Sequence, residues 1–471
     1  CTTILVGKKA TIDGSTMIAR SEDGGRVIIP EGFKAVNPED QPKHYTSVIS
    51  KQKIDDEDLA ATPLRYTSAP DVSGKNGIWG AAGINAENIA MTATETITTN
   101  SRIQGVDPLL DPSEGGLGEE DFVTLTLPYL HSAFDGVKRV GYLVEKYGTY
   151  EMNGMAFSDK DNIWYLETIG GHPWIARRIP DDAYVIAPNR LNIDEFDFDD
   201  TDDFAAASDL KDLISEYHLN PDREGYNMRH IFGSSTIKDA HYNNPRAWYI
   251  HNYFDPDFGG TPADQDQPFI CHANRLISIE DIKWAESSHY QDTPYDPFGK
   301  GTDEEKHRYR PIGLNRTQNA HILQIRSDVP EDRAAIMWLC IGGPTFTPFI
   351  PFFANMNDTD PSFNNTSMDY NMNDAWWYYK SFAAIVESHY PQFVQLDTTY
   401  LTELNRYFRG RVEEIIKDSE GKSGDELTEF LTKENQKTVA HTRKETEKLW
   451  GQMMIDSINM SKLTFNMDEN L

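Results

Sequence analysis

Cys1 unites a thiol with the α-amine of its own chain. The thiolate is the nucleophilic form, and a free thiol with a pKa of about 8.5 is mostly protonated at neutral pH. An α-amine titrates at about 7.7–8.0, so it is able to take the thiol proton and later return it to a leaving amine. One residue then supplies nucleophile, base and acid. Translation starts at methionine, so a chain that begins at Cys1 is expected to have lost an initiator Met or a short propeptide, and the sequence does not choose between them. A lipoprotein freed of its signal peptide also begins with cysteine. There a flexible polar tether usually follows, whereas Thr2-Thr3-Ile4-Leu5-Val6 reads as a β-strand from the next residue onward.

The chain returns after a turn-rich stretch, Gly7 to Gly14, through Ser15-Thr16-Met17-Ile18-Ala19-Arg20 and Ser21-Glu22-Asp23-Gly24-Gly25. This is the pattern of a β-hairpin whose second strand carries Arg20 and Asp23 back toward the chain start. An arginine there favours a thiolate, and a carboxylate orients an α-ammonium. The plainer reading is a surface Arg–Asp pair at a strand end, which contributes little.

These residues carry a resemblance. The opening Cys-Thr-Thr-Ile-Leu-Val-Gly, the Asp13-Gly14-Ser15-Thr16 turn and Ala19-Arg20-Ser21-Glu22-Asp23 are similar to the start of the dipeptidase A family of N-terminal-nucleophile cysteine hydrolases, distant relatives of penicillin V acylase and bile salt hydrolase. In those relatives an Arg, and an Asp three residues later, follow the catalytic Cys. Residues 83–96 resemble the family's Asn-Glu-x-Gly-Leu hairpin, with Asn88 where Gly is frequent. Phe157 to Glu167, Ala187-Pro188-Asn189-Arg190 and Arg310 to Thr317 resemble later blocks.

The resemblance implies an α+β fold, a four-layer αββα sandwich, and hydrolysis of dipeptides through a thioester acyl-enzyme. It implies Cys1, Arg20 and Asp23 as the core of the site. For the oxyanion it implies an asparagine side chain after the second strand block and a backbone N–H near the hairpin end, which correspond to Asn189 and the Thr94–Glu95 region. Asn192 is the alternative, because Pro188-Asn189-Arg190 departs from the Asn-x-Pro of the acylases. A second, late arginine corresponds to Arg316. An enzyme that stops at dipeptides must read a terminus, and an α-ammonium calls for a partly desolvated carboxylate. Glu95, beside Thr94 at the end of the strand that borders the nucleophile in the acylases, is expected to bind that amine. The alternatives are a linear-amide acylase of the penicillin V or bile salt type and a non-catalytic binding protein on the same fold.

The elements that must position these residues are legible in outline. Strand-like runs occupy 2–6, 15–20, 26–29, 78–83 and 89–95, and helical periodicity covers Glu119–Ser132 and Val137–Tyr147. Strands return at 154–158, 163–168, 173–178 and 184–187, and again at 320–326 and 334–341. Helical patterns fill 372–389, 399–418 and 424–456. A strand block, a helix pair and a second strand block suit stacked hairpin sheets covered by helices. The whole of 1–471 reads as a single domain, with its core in about 1–195 and 310–345, a loop-rich insertion over about 196–309 and a helical C-terminal part over about 370–456.

Composition narrows the partners. A formal net charge of −31 disfavours nucleic acid and anionic membranes. Three cysteines, Cys1, Cys271 and Cys340, have neither disulfide-framework nor metal-ligand spacing, so a reducing cytoplasm is expected. No apolar run approaches the length of a membrane span. The acidic stretch Asp194 to Asp203 lacks the central Gly and terminal Glu of a calcium loop, and the histidines lack zinc spacing. Neither metal nor cofactor is expected, and the expected partners are dipeptides and further copies of the chain in a homo-oligomer. Trp376-Trp377-Tyr378-Tyr379 opens a helical pattern and reads as interhelical packing rather than a stacking platform.

Overall fold

The computed structural model describes residues 1–25 and 28–465. Two six-stranded sheets form its centre. The first runs in the order Tyr184–Ala187, Thr2–Val6, Thr16–Asp23, Thr317–Ile325, Ala335–Cys340 and Ile350–Phe353. The second runs Phe204–Ala206, Trp174–Ile179, Ile163–Thr168, Asn153–Ser158, Ala90–Thr96 and Ala82–Ile84. All neighbours are antiparallel. The fold is therefore α+β.

Thr16–Asp23 of the first sheet lies against Ala90–Thr96 and Asn153–Ser158 of the second, so the two sheets face each other. Helices Glu119–Thr126 and Ala133–Tyr147 contact the second sheet. Helices Asn244–Phe254 and Ile279–Ser287 contact the first. Strands enclosed on both faces need apolar residues at successive positions, and Ile4, Leu5 and Val6, like Met17, Ile18 and Ala19, are all buried. Gly136 and Gly141 let the Ala133–Tyr147 helix settle onto its sheet: a Cβ on either would come within 2.2 Å of the Phe157 ring or 2.5 Å of the Trp174 ring.

The C-terminal helices Ala375–Ser388, Tyr390–Asp418 and Gly424–Asn459 close the other end. The last two pack on Ile350–Phe353, covering what would be an open sheet edge. Trp376, Tyr378 and Tyr379 are buried, in keeping with interhelical packing, whereas Trp377 is half-buried and with Trp376 lines a cavity.

Several boundaries differ from expectation. In the stretch 78–83 pairing begins only at Ala82, because Trp79 and Ala81 have φ of 52° and 54°, which extended backbone does not admit. Of the expected strand 26–29, residues 26 and 27 lie outside the described residues, and Ile28 and Ile29 are not in a strand. The first helix stops at Thr126, ahead of Pro128, and the second starts at Ala133, where the Ser132 side chain caps Asp135 N–H. The helix expected from 399 begins at Tyr390, with Pro391 in its first turn. The stretch 196–309 holds more order than loops, including the helices that contact the first sheet.

Candidate active site

Cys1 stands at the head of a strand held on both sides, with Thr3 opposite Arg20 in one neighbour and Ala187 in the other. Thr2 N–H donates to Ser21 Oγ at 3.0 Å. The chain start is thus fixed by the sheet, and Cys1 is 8% exposed.

Arg20 is fully buried, and its guanidinium has acceptors for all five of its N–H donors. Nε donates to Thr92 Oγ1 at 2.8 Å; Nη1 donates to Thr94 O at 2.8 Å and to Cys1 Sγ at 3.3 Å; Nη2 donates to Glu22 Oε2 at 2.6 Å and Ala81 O at 3.1 Å. A fork so held keeps a fixed positive charge on the sulfur. Burial opposes that charge, but Glu22 and neighbouring carboxylates outweigh burial and raise the Arg20 pKa.

The α-amine of Cys1 lies 2.8 Å from Asp23 Oδ2. The same oxygen accepts from Arg310 Nη2, and Asp23 Oδ1 accepts from Thr317 Oγ1. Burial would raise the Asp23 carboxyl, but the α-ammonium and Arg310 prevail and hold it well below the usual range. For the amine, burial is the largest influence and lowers it below its ordinary 8.0; Asp23 opposes this and Arg310 adds to it. A depressed pKa brings the proton-accepting form of the amine within easier reach than in a free α-amine.

Arg246, from the Asn244–Phe254 helix, closes the site from the other side. Its Nη1 donates to the Cys1 carbonyl and, at 2.8 Å, to Thr2 Oγ1; its Nη2 reaches Asn189 Oδ1 and Asn243 Oδ1, both at 2.9 Å. Burial, then Arg310, lowers it to about 10. Because a guanidinium only donates, the Asn189 atom facing it is the oxygen. Asn189 Nδ2 then points the other way, donates to Thr96 O at 2.9 Å and retains a second hydrogen.

The other expected residues fall elsewhere. Asn192 is buried, and its Nδ2 is engaged by Glu167, Pro188 O and Arg190 O. Arg316 donates to Gly24 O and Tyr242 OH, and the late arginine that reaches Asp23 is Arg310. Thr94 contributes its carbonyl to Arg20, while its N–H donates to Glu119 Oε1 at 3.3 Å. Glu95 is 0% exposed, accepts from Thr3 Oγ1 at 2.7 Å beneath the first strand, and does not line the cavity at Cys1.

That cavity, about 250 Å³, is walled by Cys1, Asp23, Glu22, Glu31, Trp79 and Glu119 among others. A larger, mainly apolar cavity of about 520 Å³ shares Gly24, Gly25, Ile29 and Gln318 with it. Among the described residues no group of His, Cys, Asp and Glu is arranged to hold a metal ion.

Arg246 and Glu31 went unnoticed in the sequence. Pro245 marks a helix start, but no local signal aims Arg246 at Cys1. Arg246→Lys is expected to lower kcat by about 100-fold, because one ammonium cannot bridge the Cys1 carbonyl and Asn189 together and a misplacement of about 1 Å is enough. Steady-state kinetics at unchanged melting temperature check this.

The model of peptidase family C69 matches residues 1–403. Dipeptidase A of Lactobacillus helveticus is 72% identical over 468 residues, covering 99% of this chain and 98% of that protein. Probable dipeptidase B of Lactococcus lactis subsp. lactis (strain IL1403) is 48% identical over 475 residues, covering 100% and 98%. A probable dipeptidase of Salmonella dublin is 31% identical over 370 residues, covering 77% and 82%.

Proposed function

Because this chain belongs to peptidase family C69, we propose that it hydrolyses dipeptides with Cys1 as an N-terminal nucleophile, on a four-layer αββα sandwich of the N-terminal-nucleophile hydrolase type. It is a dipeptidase by its likeness along the full chain to proteins of that name. The observation that carries the mechanism is the double hold on Cys1, with Arg20 Nη1 at 3.3 Å from its sulfur and Asp23 at 2.8 Å from its amine.

The neutral α-amine takes the proton from Sγ, and Arg20 stabilises the thiolate. The sulfur attacks the scissile carbonyl carbon, and the carbonyl oxygen becomes an oxyanion facing the free hydrogen of Asn189 Nδ2 and a backbone N–H near the end of the Ala90–Thr96 strand. As the C–N bond breaks, the α-ammonium returns the proton to the departing amine, leaving a thioester. Water, deprotonated by the same amine, attacks the thioester carbon; the C–S bond breaks, the acid is released, and the Cys1 thiolate takes the proton back from the α-ammonium. Asp23 holds the ammonium in place during each transfer.

We read the chain as one hydrolase unit, supported by Arg246 from within 196–309 and Arg310 just beyond it, both of which close on the Cys1 backbone or its partner. A cytoplasmic location is supported by three unpaired cysteines.

The test is mass-mapped alkylation of Cys1 alongside a dipeptide panel. Modification at Cys1 is expected to remove activity, and preferential cleavage of linear N-acyl amides over dipeptides would favour the acylase instead. An acetylated α-amine is expected to leave a folded protein with almost no turnover. The pH dependence follows from the depressed amine: kcat/KM rises as the ammonium loses its proton, so the acid limb has its midpoint below 8.0. A fully active acetylated protein would remove the amine from its role as base.

A further inference from the structure

Among the described residues, five carboxylates line the cavity at Cys1, those of Glu22, Asp23, Glu31, Asp71 and Glu119, and no Arg or Lys does. Glu22 and Glu31 are 5% and 3% exposed, and Glu119 and Asp71 stand on the same wall. Glu22 Oε2 is taken by Arg20, Glu31 Oε2 by Asn319 Nδ2, and one oxygen of Glu119 by Thr94 N–H. Among the described residues the second oxygen of each of these three carboxylates has no hydrogen-bond partner. Asp71 differs, since Ser73 satisfies both of its oxygens. Among the described residues the cation that contacts the cluster is Arg20, through Glu22, and it is already shared with the sulfur. Burial and the neighbouring Glu22 raise the Glu31 pKa well above its usual range and push Glu119 up to about 8, so crowding opposes holding all of these charges at once.

A dipeptide brings the missing cation to this place. Its α-ammonium is two bonds of about 1.5 Å from the carbonyl carbon that meets Sγ. One guanidinium spans the corresponding protein groups, touching Cys1 Sγ with Nη1 and Glu22 with Nη2. The substrate's C-terminal carboxylate is repelled by the same wall, which fixes the direction in which the dipeptide enters.

We propose that Glu22 and Glu31, with Glu119 beside them, form the subsite that binds the free α-ammonium of the substrate and so exclude chains with a blocked N-terminus. This rests on Cys1 being the nucleophile, and it replaces Glu95 as the reader of the amine.

The probes are alanyl-leucine and its des-amino analogue propionyl-leucine, tested on the wild type, Glu31→Gln and Glu31→Asp. Glu31 does not touch Arg20 or the sulfur, so the rate of Cys1 alkylation by iodoacetamide is expected to stay at the wild-type value in both variants. For Glu31→Gln the expected result is a KM for alanyl-leucine raised roughly 10- to 100-fold, the range for a lost charge-assisted hydrogen bond, with little change in kcat. Protection of Cys1 from iodoacetamide by propionyl-leucine should not change. Glu31→Asp keeps the carboxylate and recovers part of the loss; it also carries the test if the amide variant does not fold. An alanyl-leucine to propionyl-leucine ratio that stays at the wild-type value, in kcat/KM or in protection, overturns the subsite while leaving the nucleophile intact. Turnover that survives Cys1→Ala overturns the nucleophile itself, a separate outcome.

Discussion

Cys1→Ala is expected to lower dipeptide turnover by at least about 10⁴-fold, the scale on which a removed nucleophile is felt, while the protein keeps its fold. The sulfur makes one polar contact, with Arg20 Nη1, and Cys1 is not part of the apolar core that begins at Ile4. The guanidinium retains its bonds to Thr92, Thr94, Glu22 and Ala81 and so stays in place. The stability change is expected to be about 1 kcal/mol or less. Cys1→Ser keeps the α-amine but presents a hydroxyl, a weaker nucleophile, and should be severely slowed. Turnover, thermal melting and circular dichroism of the purified variants check this, and full activity in Cys1→Ala would end the assignment.

Asp23→Asn is expected to damage stability and turnover together. Among the described residues Asp23 is the one carboxylate that joins the buried α-ammonium to the buried Arg310. Loss of its charge leaves two cations enclosed without their anion, an arrangement that costs about 3–5 kcal/mol. Turnover should fall by about 100-fold or more, because the amine loses the group that orients it toward the thiol. The sign of the pH effect follows from the direction of the shift. The folded Asp23 pKa lies well below its ordinary 3.8, so its contribution is fully present above 3.8 and is lost as pH falls through the folded value. The difference in melting temperature between wild type and Asp23→Asn should therefore shrink as pH falls into strong acid, and also as pH rises through the depressed pKa of the α-ammonium that Asp23 pairs with. A difference that persists unchanged in strong acid would assign the stabilisation to another group.

The residues of the site that were legible in the sequence are those whose relation to Cys1 is local. Arg20 and Asp23 lie one hairpin away, and antiparallel pairing of two adjacent strands is determined by turn and alternation alone. Asn189 was legible through the likeness of its block to related sequences, and its orientation became clear only with Arg246 beside it. Glu95 shows where the reading stops. Alternation along Ala90–Thr96 says that successive side chains point opposite ways, but every residue from Ala90 to Glu95 is buried, so polarity does not reveal which face meets the cavity. Arg310 and Arg316 show the same limit in a loop. Both precede the Thr317–Ile325 strand, no periodicity governs them, and the one that reaches Asp23 is chosen by the path of the chain.

Read from the sequence were Cys1 as the candidate nucleophile, its own α-amine as the candidate base, the hairpin that brings up Arg20 and Asp23, and most of the strands that build the two sheets. These follow from covalent chemistry and from short-range periodicity. Tertiary structure alone decided that Arg246, 245 residues from Cys1, grips its carbonyl, that Arg310 completes the charge pair, and that Glu22, Glu31 and Glu119 converge on one cavity. Such contacts depend on how the sheets stack and on how helices close over them, and the packing energies that select one stacking are summed over the whole core rather than written in any one segment.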